Sequence, residues 1–228
     1  MNAHLRISGP HYADAVATLS GLFGTPLELA ELEAMTLPAD TGPLALLSRI
    51  PLLQDDVAEL VGIARAFGTP KAGVTELNKA FCLLFLGAGG PMSAPPYESA
   101  YVGTGRLFQE PAGQMARLLR EQSMQPVEGF PEAPDHLVIE LSLLEETLRL
   151  AGVSEDQGDI ATVRSLHERL RSWVPAFAKA CGDFDKTGFY AGAARLLNRL
   201  LSEPLPCPGA RLPPDLAFRP AELDPSPR

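Results

Sequence analysis

Long apolar runs are missing from this chain of 228 residues. No uninterrupted stretch approaches the roughly 20 apolar residues of a membrane span. Residues 1–10 carry no basic segment leading into an apolar one, so a soluble, cytoplasmic protein is expected. Cysteine is scarce: Cys82, Cys181 and Cys207 lie far apart without a C-x-x-C pair, which argues against a disulfide framework or a zinc site. Cys82, set among apolar neighbours, reads as a small core residue. Basic charge is also short. Nineteen Lys and Arg face 28 Asp and Glu, a net charge of −9, so the footprint that nucleic acid requires is lacking. The four histidines, His4, His11, His136 and His167, show no metal-ligand spacing, and His167 reads as a helix-surface residue. Patterns of the G-x-S-x-G, H-E-x-x-H, Walker and EF-hand kinds are absent, and no cofactor or metal is expected. Alternating strand patterns and internal repeats are missing too.

What remains is helical periodicity. A hydrophobic share of 46% and a charged share of 21% are globular values. Apolar residues recur at three- and four-residue spacing over 10–23, 26–35, 54–67, 71–86, 111–124, 136–150, 157–181 and 187–201, with a turn or two over 44–50 and a short extension over 98–107. Pro175 is expected to kink or divide the seventh of these. The fold class is all-α, with an N-terminal lobe over 1–124, a hinge over 125–135, a C-terminal lobe over 136–202 and a tail over 203–228. That tail holds eight prolines in 26 positions and reads as extended or laid along the surface.

Two breaks interrupt the helices. In the first, Gly87, Gly89, Gly90, Pro91, Pro95 and Pro96 fall within ten residues, and Phe85, Leu86, Met92, Tyr97 and Tyr101 lie in or beside them. A loop with that much apolar surface packs on its own domain or offers the surface to a partner. The glycines resemble a phosphate loop only superficially, since they follow a helix and lack the Lys-Ser/Thr pair; a helix stop is the better reading. The second break runs Glu132-Ala133-Pro134-Asp135-His136 into Leu137 and Glu140. Asp135 suits a helix cap there, while Glu132, Asp135, His136 and Glu140 together also suit a cationic ligand. Glu98 and Ser99 share that ambiguity, as a helix start or as pocket lining beside Tyr97 and Tyr101.

Phe81-Cys82-Leu83-Leu84-Phe85 running into Gly90-Pro91 and Pro95-Pro96-Tyr97-Glu98-Ser99-Ala100-Tyr101 resembles the loop of the TorD/DmsD/NarJ family of redox-enzyme maturation chaperones. The second break is similar to that family's E-P-x-D-H hinge, with Ala133 where proline is usual. Trp173-Val174-Pro175-Ala176-Phe177 and Phe189-Tyr190 also match, so the resemblance covers roughly residues 10–202. It implies a TorD-like helical bundle without catalysis. Such a chaperone binds the twin-arginine signal peptide, or N-terminal region, of a molybdopterin oxidoreductase catalytic subunit in its apo form, and holds it back from export until the cofactor is in place. The contacts carried over are Leu84, Phe85, Pro91, Pro95, Pro96, Tyr97, Glu98, Ser99, Tyr101, Asp135 and His136. Physics is consistent with this: a cationic segment followed by an apolar helix-prone run needs an apolar groove bordered by carboxylates.

Two other classes stand beside it. One is a nucleotide-dependent enzyme using the glycine loop and His136, and weak nucleotide binding is compatible with the family as well. The other is a structural subunit bound permanently to a redox complex. A monomer and a helix-swapped dimer both fit the hinge.

Overall fold

The structure, a computed structural model, describes residues 9–107, 109–125, 131–153 and 157–205. The described residues contain nine α-helices: α1 (Gly9–Gly24), α2 (Leu29–Met35), α3 (Ala45–Ser48), α4 (Gln54–Ala66), α5 (Pro70–Leu84), α6 (Glu110–Glu121), α7 (Leu137–Val153), α8 (Gln157–Phe184) and α9 (Phe189–Ser202). The only β pairing among them is an isolated antiparallel bridge between Tyr97 and His136.

Local chemistry sets several of these boundaries. Glu28 and Glu31 form a capping box at the start of α2, the Glu28 amide donating to the Glu31 carboxylate at 2.6 Å. Thr69 caps α5 through the Ala72 amide, and Pro70 occupies the first turn, where its missing N–H costs nothing. At the end of α9's lead-in, Asp185 accepts from the amides of Thr187 and Ala191 and fixes the tight turn from α8.

Two expectations about elements change. Pro175 neither divides nor ends α8, which runs 28 residues through it. Pro175 and Arg171 both face solvent, so the Arg171 carbonyl, deprived of its helical donor, is open to water, while Trp173, Val174 and Phe177 on the opposite face are fully buried. Residues 98–107 form one 3₁₀ turn, Glu98–Ala100, rather than a longer helix, because Gly103 and Gly105 take φ of 75° and 70°.

α1 lies along α7, α7 against α8, and α8 against α9, while α1 and α4 also reach α9. One apolar cluster therefore draws on helices from both sides of the 125–135 break. Its aromatic part, Phe23, Phe81, Phe85, Phe177 and Tyr190, makes edge-to-face contacts at 5.1–5.9 Å directly under the first break. Part of the expected hinge and the tail from residue 206 lie outside the described residues. Among the described residues no helix is long and apolar enough to cross a membrane, and none form a cluster of three metal-capable side chains.

Cys82 and His167 sit differently from expectation. Cys82 is half-buried on α5. His167 is buried: its Nε2 lies 3.1 Å from the Tyr12 hydroxyl, which donates to the Leu200 carbonyl. The ring faces the interior because it shares the α8 stripe of Val163, Leu166 and Leu170.

Candidate functional site

The first break begins where α5 ends. The Phe85 amide closes the last turn on Phe81, and the amides of Ala88 and Gly89 return to the carbonyls of Cys82 and Leu83 at 3.2 and 3.0 Å. Gly87 and Gly90 adopt φ of 77° and 57°. The glycines thus terminate a helix at its carbonyl end, where the dipole is negative and a phosphate is disfavoured. Beyond them the Ala94 amide bonds to the Leu84 carbonyl at 2.8 Å, which brings residues 94–97 back across the bundle.

There the two breaks meet. The Leu137 amide donates to the Pro96 carbonyl at 2.8 Å, and the Glu98 amide donates to the Asp135 carbonyl at 3.0 Å. The rings of Tyr97 and His136 pack edge-on at 5.0 Å, and the Tyr97 hydroxyl donates to the Glu132 carboxylate. Burial and that carboxylate push the Tyr97 hydroxyl's pKa up. Of the carried-over residues, Pro96, Tyr97, Glu98 and Ser99 therefore lie against Asp135, His136 and the start of α7, whereas Tyr101 packs on Trp173 and Phe177.

Their side chains, however, are turned mostly inward. Asp135 is 0% exposed, and its carboxylate accepts from the Ser99 amide at 3.0 Å instead of capping α7. The capping acceptor is His136, whose Nδ1 takes the Val138 amide at 3.2 Å. That bond requires an unprotonated Nδ1, and burial lowers the ring's pKa to about 4. Glu98, 5% exposed, is paired with Arg169 of α8. The same guanidinium donates to the Pro111 carbonyl at 2.9 Å and the Gln114 amide oxygen at 3.1 Å, and its Nε lies 3.6 Å from the Glu140 carboxyl. Glu140 accepts from the Trp173 indole at 3.1 Å, and Trp173 stacks on Tyr101 at 5.8 Å. Burial raises the pKa of both Glu98 and Glu140, and more strongly that of the fully enclosed Glu140, while the one arginine between them pulls both down.

Glu98 and Asp135 are thus engaged internally and not presented to a ligand. Leu84 and Phe85 belong to the core, Ser99 and Pro96 are buried, and Tyr101 is half-buried. Pro91 is exposed and Pro95 and Tyr97 are partly so. The large apolar side chains that reach solvent here are ones the carried-over set omits: Leu83, Leu86 (58% exposed) and Met92 (66% exposed). Leu83 and Met92 border a groove of about 340 Å³ between α5 and the α8–α9 turn, floored by Ala80, Leu84 and Phe184. Glu76 and Asp183 are exposed carboxylates lining it, together with Lys79 and Lys186, and Asp183 is paired with Lys179 on the surface of α8. Arg169 also went unread, although an arginine one turn before Trp173 on an apolar stripe was a visible signal.

Comparison with known proteins bears on the family and the fold. The family model described as nitrate reductase delta subunit matches residues 51–179. Chaperone protein TorD of Vibrio parahaemolyticus is 33% identical over 184 residues, 78% of this chain and 85% of that one. The Salmonella schwarzengrund protein of the same name is 32% identical over 198 residues, covering 86% and 91%. The solved structure of a redox enzyme maturation protein from Archaeoglobus fulgidus superposes with a TM-score of 0.53 at 22% identity, covering 89% of this chain and 99% of that one, which supports the helical fold. The chain belongs to the TorD/DmsD/NarJ family of redox-enzyme maturation chaperones.

Proposed function

We propose that this chain is a system-specific chaperone that binds the twin-arginine signal peptide, or N-terminal region, of an apo molybdopterin oxidoreductase catalytic subunit, assists cofactor insertion and prevents premature export. The observation that carries the reading is the exposed apolar set of Leu83, Leu86 and Met92, of which Leu83 and Met92 line the groove, at the foot of the loop that bears the family's motif. Three large apolar side chains held in water beside a concave apolar floor favour a helical apolar segment. Methionine's flexible thioether suits a surface that must accept more than one shape. Glu76 and Asp183 are the carboxylates within reach of the arginines.

Titration of the full-length protein with a twin-arginine signal peptide tests it. Leu86→Asp and Met92→Asp, both on exposed side chains, should weaken binding at least tenfold, a loss of about 1.4 kcal/mol, without lowering the melting temperature. A peptide with both arginines replaced by glutamine should bind more weakly as well. Unchanged affinity in Met92→Asp would remove the groove from the site, and unchanged affinity in Leu86→Asp would remove the exposed apolar surface beside it. The name of the matching family model also brings in a permanent subunit; co-purification in fixed stoichiometry with mature oxidoreductase would support that instead.

A further inference from the structure

We propose that Arg169 is a positioning residue for the recognition loop, a clamp whose guanidinium holds Glu98, and with it residues 97–101, against α6, α7 and α8. This rests on the reading that the loop over residues 85–101 is the recognition element.

The geometry is that of a hub. From its position in α8, a side chain only 12% exposed reaches three other elements: it donates to the Glu98 carboxylate in the loop and to the Pro111 carbonyl and Gln114 amide oxygen in α6, and its Nε lies 3.6 Å from the Glu140 carboxyl in α7. A planar guanidinium with five donors can serve such divergent acceptors at once; an ammonium cannot. What it holds down is not at rest. Ser99 Oγ, Tyr101 OH and Asp135 Oδ1 are all buried under the loop without a hydrogen-bond partner. Each orphaned group raises the free energy of the closed arrangement and would regain partners on opening to water. The backbone ties at residues 96 and 98 and the bonds of the Ser99 amide to Asp135 and the Tyr97 hydroxyl to Glu132 hold the segment to the second break, and Tyr101 stacks on Trp173, whereas the Glu98 side chain is its one charged attachment to α8 among the described residues. Releasing Arg169 therefore frees the 97–101 segment to change shape around a client, and it loosens the first turn of α6 at the same time.

Hydrogen exchange on the full chain without peptide tests this, using Arg169→Ala, Arg169→Lys, Glu98→Gln and the double variant Arg169→Ala/Glu98→Gln. Amides 98–102 should exchange at least tenfold faster in Arg169→Ala and in Glu98→Gln, while amides 196–200 of α9 stay as protected as before. Arg169→Lys should restore only part of the protection, and the double variant should exchange no faster than Arg169→Ala alone. Unchanged protection at 98–102, acceleration spread equally over all helices, or additive effects in the double variant would each overturn the clamp. Should Arg169→Ala fail to fold, the isosteric Glu98→Gln decides alone. Because the readout needs no peptide, a loop that loosens in a protein that binds no signal peptide would count against the proposed function and leave the clamp standing.

Discussion

A Cβ placed on Gly89 would lie 2.4 Å from the Leu83 carbonyl oxygen and 2.6 Å from that of Met92, both backbone atoms that cannot step aside. Gly89→Ala should therefore destabilise by roughly 1–3 kcal/mol, as overpacking does elsewhere, and thermal melts will read it. Gly87→Ala, with open space around it but a φ of 77°, should cost only about 1 kcal/mol. His136 and His167 act through protons. Burial lowers both pKa values from 6.5 to about 4, so between those values the unfolded chain binds more protons than the folded one. Their contribution to stability is complete above pH 6.5 and is lost as pH falls toward 4. Glu98 and Glu140, with raised pKa values, work in the opposite sense. A His167→Gln variant isolates one of these groups: its deficit relative to the parent should shrink between pH 7 and pH 4.5, and a constant deficit would contradict the assignment. At this scale the sequence was least informative. It showed carboxylates at positions 98 and 135, but only the arrival of Arg169 and the Ser99 amide reveals that both are already occupied.

Helices and their ends followed from the apolar stripes, caps and glycines, because those signals are local. Pro175 does not divide α8 as expected, since its effect depends on which face of the helix it occupies, a tertiary matter. Proline costs a helix interior about 3 kcal/mol relative to alanine. Here that cost is borne on the exposed side while Trp173, Val174 and Phe177 anchor the other. Pro175→Ala should accordingly raise stability by roughly 1–3 kcal/mol and leave the helical circular dichroism unchanged or slightly stronger. The α7 start carries a similar lesson. Asp135 has the right residue type to cap it, yet the cap is His136, because Asp135 is drawn away to an amide 36 residues earlier in the chain.

For the whole molecule, motif order revealed that the two breaks belong together, but not that they touch. Contact between them arises from α5 delivering residues 94–97 across the bundle, which no local pattern encodes. Long-range polar ties of this kind recur. The Tyr12 hydroxyl links α1 to α9 through Leu200 and to α8 through His167. Tyr12→Phe should cost about 1–2 kcal/mol, and chemical denaturation should show the midpoint falling with no change in slope.

The antiparallel bridge between Tyr97 and His136 stitches one side of the 125–135 break to the other, and α1 on α7 and α4 on α9 do the same with apolar surface. Covalent continuity between Gln125 and Pro131 is then dispensable once folding is complete. A single proteolytic nick there should yield two fragments on a denaturing gel that travel as one species in gel filtration, and co-expressed fragments divided at that point should reassemble.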